Sequence, residues 1–252
     1  MLRCVLAVFI LGALVAQAAK VIVTAIGDSI TVGAGCRDAT NTEPVPSYTV
    51  ALQSLLGDGF TVVNAGASGM TQLKEGRCFA PPKLDKCSYR DTEAWQRALE
   101  SKGDIFTIML GTNDAKDFNW EAQITSGDFF AVDYIDMVQQ LARLQPAPKA
   151  IFVMIPPPLF TNSTGGYVYH MDPHVINNVF PKLVPEIARV AGKNVVTGVI
   201  DVQGAILKSP LADPNSDTHL QLTCDGCHPT QAANDLIAQA MAPRIQDIAK
   251  TF

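Results

Sequence analysis

The sequence predicts an α/β protein, a three-layer α/β/α sandwich built on a five-stranded parallel sheet. Three observations predict it. Five short β-branched runs are apolar on successive residues rather than on alternate ones, the pattern of strands covered on both faces. Helical patterns lie between these runs, and strands alternating with helices make a parallel sheet. Residues able to do chemistry stand just after the strands, where ligands sit in such sheets.

In chain order, Val21 to Ala25 is the first strand, and it breaks into Gly27-Asp28-Ser29-Ile30-Thr31. Tyr48 to Leu56 carries apolar residues at helical spacing. Phe60 to Asn64 is the second strand, followed by Asn64-Ala65-Gly66-Ala67-Ser68-Gly69-Met70-Thr71. A helix spans Thr92 to Leu99. The third strand, Ile105 to Leu110, leads into Leu110-Gly111-Thr112-Asn113-Asp114. A helix covers Tyr134 to Leu144, and the fourth strand, Ala150 to Ile155, ends at Pro156-Pro157-Pro158. Val175 to Val190 is helical, and Asn194 to Ile200 is the fifth strand. Beyond it stands Asp225-Gly226-Cys227-His228-Pro229. The last helix, Pro229 to Ile248, starts well, because a proline in the first turn has no amide to leave unpaired. Two long irregular stretches, Thr71 to Arg90 and Pro157 to Pro173, read as rims of a site, since long loops in a compact domain are often functional.

The chain has 252 residues, of which 48% are apolar and 17% charged, so it can bury a full core. Its net charge of −5 and lack of a basic cluster exclude nucleic acid as a natural partner. Residues 1–18 have the make-up of a secretory signal peptide: Met1-Leu2-Arg3, an apolar stretch from Cys4 to Val15, and the small-x-small site Ala16-Gln17-Ala18. That stretch falls short of the roughly twenty apolar residues that span a bilayer, so no membrane insertion is expected after cleavage. The expectation is a secreted protein with a single domain over residues 19–252.

Secretion permits disulfides. Of six cysteines, cleavage removes Cys4 and leaves an odd number, so one is free or paired outside the chain. The reading pairs Cys78 with Cys87 and Cys224 with Cys227, leaving Cys36 over; other pairings stay open. Asn162-Ser163-Thr164 is an N-glycosylation acceptor pattern.

Ser29 sits where a strand turns sharply, which exposes a hydroxyl and aims free backbone N–H groups at a substrate. The plain alternative is that Asp28 or Ser29 caps a helix. Gly69 and Asn113, each near a strand end, are donors for a developing oxyanion or else ordinary turn residues. Asp225 and His228, three positions apart, suit a carboxylate that fixes an imidazole tautomer. Cys224-x-x-Cys227 before His228 also admits a zinc or redox site, although no further zinc ligands stand out.

In order, GDSIT, NAGASGMT, GTND and DGCHP resemble the blocks of the SGNH (GDSL) hydrolase superfamily, and the resemblance spans nearly the whole chain after the leader. It implies a flavodoxin-like fold, with Ser29 as nucleophile, His228 as general base and Asp225 orienting His228. It also implies an oxyanion hole from the Ser29 and Gly69 amides and the Asn113 side chain, and no metal or organic cofactor. Cys224 and Cys227, inside the loop that carries the last block, depart from the family pattern.

Trp120 and Pro157 are candidate substrate contacts, whereas Trp95 belongs on a buried helical face. His170 and His174, with Asp172 between them, have the spacing of a metal pair, but Pro173 argues for a loop there. His219 reads as a surface or rim residue, and Asp114 as a buttress for its loop. The expected activity is hydrolysis of carboxylic esters through an acyl-enzyme. The expected substrates are short-acyl, above all acetyl, esters on carbohydrate such as sialic acid or polysaccharide. The alternatives are a broad esterase or lipase on longer chains, and a catalytically silent carbohydrate-binding protein.

Overall fold

The first apolar run extends to Gly27 and forms β1 (Val21–Gly27), in register with β2 (Phe60–Gly66) on one side and β3 (Ile105–Met109) on the other. β4 (Ala150–Ile155) pairs with β3, and β5 (Gly198–Asp201) closes the sheet. All pairs are parallel, in the order β2-β1-β3-β4-β5. This is the flavodoxin-like order, in which the chain reverses direction across the sheet between β1 and β3 and leaves a crevice at their carboxyl ends. The computed structural model describes residues 19–38, 42–78, 85–126, 129–213 and 217–252; the expected leader lies outside them.

Successive strand residues feed opposite cores, which is why the runs are continuously apolar. Phe106 and Ile108 of β3, with Ile151 and Val153 of β4, face the layer made by α3 (Glu93–Glu100), α5 (Phe129–Ala142) and α6 (Phe180–Ala191). Ile105 and Met109, with Phe152 and Met154, face α2 (Tyr48–Leu56), α7 (Val202–Leu207) and α8 (Gln231–Ala249). Each fully buried Phe, Ile or Met contributes about 1.5–3 kcal/mol. Local capping starts the helices: Ser47 accepts from the Thr49 amide at α2, and Thr92 from the Trp95 amide at α3.

The structure differs from the sequence expectation in several elements. The fifth strand begins at Gly198, because Asn194 to Val196 close the turn after α6, where the Val195 and Val196 amides both donate to Gly192 O at 2.9 Å. α5 starts at Phe129, ahead of the expected Tyr134. The expected helix from Val175 opens with a π turn, Val175–Val179, before α6. The helix that Asp28 was read to cap is α1 (Ser29–Val32), and two further helices were unexpected: α4 (Asp117–Ser126) and α7. α1 and α7 are too short to show a period. In α4, Phe118, Trp120, Ala122 and Ile124 recur at every second position, which mimics a strand. Among the described residues, no helix is long and apolar enough to cross a membrane.

Candidate active site

The strand-to-helix corner after β1 is made rigid from several sides. Asp28 caps α1 by accepting from the Ile30 amide at 3.0 Å, so capping the helix and presenting Ser29 to its base are parts of one turn. The Asn64 side chain donates to Thr31 O at 2.6 Å, and Ser47 Oγ donates to the same oxygen at 2.7 Å. Ser29 is thereby fixed at the first position of α1.

The Asp225–His228 loop reaches this corner from the far end of the chain. Ser29 Oγ lies 3.0 Å from His228 Nε2, and His228 Nδ1 lies 2.7 Å from Asp225 Oδ2. The other carboxylate oxygen, Oδ1, accepts from the Cys227 amide at 2.9 Å and the His228 amide at 2.8 Å. Partial burial of Asp225 opposes its charge. The His228 side chain and these backbone donors outweigh that, and hold the carboxyl well below the usual carboxylate range. Asp225 therefore stays ionised while it orients the ring.

Gly69 and Asn113 flank Ser29 from the neighbouring strands. Gly69 has φ +79°, and a Cβ added there would meet nothing within 4 Å, so its backbone faces open space. Among the described residues, neither the Ser29 nor the Gly69 amide donates to a protein acceptor. Asn113 is buried, and its Nδ2 donates to Met70 O at 3.2 Å, which leaves the second amide hydrogen for a ligand. Its loop is braced from both sides. Asp114 accepts from the Gln72 and Leu73 amides at 2.9 and 2.8 Å, and burial raises its carboxyl to about 7. Asn119 donates to Asn113 O at 3.0 Å and exchanges bonds with the backbone of Arg77. The arrangement can take a proton from Ser29, hold the resulting imidazolium, and offer three donors to an oxyanion.

Several sequence expectations are corrected. Cys224 bonds to Cys36, not Cys227, while Cys78 pairs with Cys87 as expected. Cys227 is the free thiol, buried with its Sγ 3.8 Å from Met171 Sδ. A Cys224–Cys227 bond does not form because Cys227 is buried against the core, whereas the exposed Cys224 meets Cys36. Trp120 is half-buried and packs edge-on against Phe130 and Phe180, at 5.9 and 5.5 Å, on the edge of the core. Pro157 is buried, and so is His219, which stacks on Phe160 and reaches Thr161 Oγ1 at 3.3 Å. Trp95 is buried in the core, as read. His170 and His174 do not share a helical face: His170 lies before the helix in a left-handed conformation. Among the described residues, no group of three His, Cys, Asp or Glu could hold a metal ion.

Two residues at the site had no sequence signal at all. Tyr169 donates to Asp225 Oδ2 at 3.0 Å, and Gly35 packs on the imidazole of His228.

Fold and site together place a serine, a histidine and an aspartate in one hydrogen-bonded row at the end of a flavodoxin-like sheet. The chain belongs to the GDSL-like lipase/acylhydrolase family, whose model matches residues 25–236. It is 29% identical over 240 residues to an acetylxylan esterase of Xylanibacter ruminicola, covering 89% of this chain and 43% of that longer protein. A carbohydrate acetylesterase family member from Sinorhizobium meliloti has the same fold, with TM-score 0.63 and 17% identity over 91% of this chain and 99% of its own. An aryl esterase of M. smegmatis aligns with TM-score 0.56 and 20% identity, over 91% of this chain and all of its own.

Proposed function

We propose that this protein is a secreted serine esterase that removes acetyl and other short acyl groups from carbohydrate. The observation that carries the reaction is the continuous relay Asp225–His228–Ser29, with contacts of 2.7 and 3.0 Å, beside the Gly69 amide and the second amide hydrogen of Asn113 on the adjoining strand ends. In this reading His228 takes the Ser29 proton as Oγ attacks the ester carbonyl. The Ser29 and Gly69 amides and Asn113 Nδ2 stabilise the oxyanion. The imidazolium then protonates the leaving alcohol, and water releases the acid from Ser29 by the same steps in reverse roles.

Support for an acetylated carbohydrate comes from the relatives, an acetylxylan esterase and a carbohydrate acetylesterase among them. Secretion is supported by the leader-like residues 1–18 and by two disulfides. Acetate release, measured over a panel of acetylated xylan, other acetylated polysaccharides and acetylated sialic acid, tests the substrate class. A preference for p-nitrophenyl octanoate over the acetate, with no acetate released from any glycan, overturns it.

A further inference from the structure

We infer that Tyr169 is a positioning residue for the Asp225–His228 pair, acting through a hydroxyl that donates to the same carboxylate oxygen that faces the imidazole. The inference rests on the serine-esterase reading of this site. Asp225 Oδ1 is occupied by two amides of its own loop, whereas Oδ2 carries the bond to His228 Nδ1 at 2.7 Å and that from Tyr169 at 3.0 Å. Without Tyr169, Oδ2 would have no donor from outside the loop among the described residues. The two bonds on one oxygen restrain the carboxylate plane. The Tyr169 ring also stands edge-on to the His228 ring, 5.5 Å between centroids at 77°, and so limits rotation of the imidazole.

The backbone that carries Tyr169 is held in a costly conformation. Tyr169 and His170 have φ of 60° and 58°, two successive non-glycine residues in the left-handed region. Such strain persists only where the surroundings over-determine it. Here the surroundings are the segment that follows Asn113. The Asp117 amide donates to His170 O at 2.9 Å, the Asp172 amide to Ala115 O at 2.8 Å, and Lys116 bridges Met171. Tyr169 thus works as a strut. Its base is bolted to the loop that carries Asn113, and its tip bears on Asp225, so the spacing between the oxyanion donors and the base is set by one short turn.

The test compares Tyr169→Phe, which removes only the hydroxyl, with Tyr169→Ala, which also removes the ring. The expected result for Tyr169→Phe is a fall in kcat of about three- to tenfold with KM for p-nitrophenyl acetate unchanged. In the substrate-free protein, the downfield proton resonance of His228 Nδ1–H should move, because its acceptor has lost a competing donor. Tyr169→Ala should lower kcat further. Wild-type kcat and an unmoved resonance in Tyr169→Phe overturn the inference, as does a loss confined to the alanine variant. If the wild type and Ser29→Ala prove equally inactive on esters, the esterase reading fails instead, and the resonance still decides whether Tyr169 acts on the pair.

Discussion

Gly35 lies directly against the imidazole of His228: a Cβ built on it would stand 2.6 Å from both His228 Cβ and Nδ1. Its φ of +103° is also one that side chains rarely adopt. The next residue, Cys36, bonds to Cys224, and its Sγ lies 3.1 Å from His228 O. The segment after α1 therefore packs on the base and is tied covalently to the loop that carries it. Gly35→Ala should displace the ring and lower kcat by about 10²-fold, since errors near 1 Å cost that much. Steady-state kinetics beside a circular dichroism spectrum check this; a folded variant with wild-type kcat would show that the contact is slack.

Ser29→Ala should abolish esterase activity, by about 10⁴-fold or more, while leaving the melting temperature within a few degrees. Hydrolysis of p-nitrophenyl acetate is the assay. Substantial residual turnover would move the nucleophile elsewhere.

Asp225→Asn should keep the geometry and drop kcat by about 10⁴-fold, because an amide facing Nδ1 enforces the wrong tautomer. Asn113→Ala should cost about 10²–10³ in kcat with little change in KM, as expected for a donor used mainly in the transition state. If Asn113→Ala raises KM and spares kcat, the side chain binds substrate and not the oxyanion.

Breaking Cys36–Cys224 by Cys36→Ser with Cys224→Ser should cost about 2–4 kcal/mol of stability and lower kcat. Cys227→Ser removes no bond and should leave activity near wild type. Urea unfolding and ester turnover on both variants give the answer; the opposite ranking would restore the Cys224–Cys227 pairing.

Stability should fall as pH rises from about 4 to 7 and then level. Burial raises the carboxyl of Asp114 to about 7 and that of Asp28 to about 6, whereas both titrate near about 4 when unfolded. Between those values the folded protein holds these protons more tightly than the unfolded chain, so each unit of pH works against folding. Asp225 acts in the opposite sense: its stabilisation is present above about pH 4 and is lost as pH falls towards its depressed folded value. Urea titrations from pH 4.5 to 7.5 should show the decline, and Asp114→Asn should flatten it. A rise across that range in the wild type would refute the assignment.

Most of the fold was legible because its physics is local and periodic. Strands buried on both faces must be apolar throughout, and β1, β3 and β4 announce themselves so. α4 was hidden because Phe118, Trp120 and Ala122 alternate like a strand. Ser29, Gly69, Asn113, Asp225 and His228 stood out because each follows a strand or sits in a compact motif. Tyr169 and Gly35 did not, because their roles arise from contacts with residues far along the chain: Tyr169 meets Asp225, and Gly35 meets His228. The cysteine pairing failed for the same reason. Proximity in sequence favoured Cys224 with Cys227, and only the fold carries Cys36 across to Cys224, 188 residues away.

That long-range bond encloses almost everything between the two halves of the relay. A protease that clips a single exposed loop, such as the stretch around Thr164, would cut the chain but release neither half. Ser29 lies just before the start of the ring and His228 just after its end, so both segments stay fastened to each other through sulfur. The nicked molecule would run as two fragments only under reducing conditions, and would have no covalent reason to lose its working geometry before then.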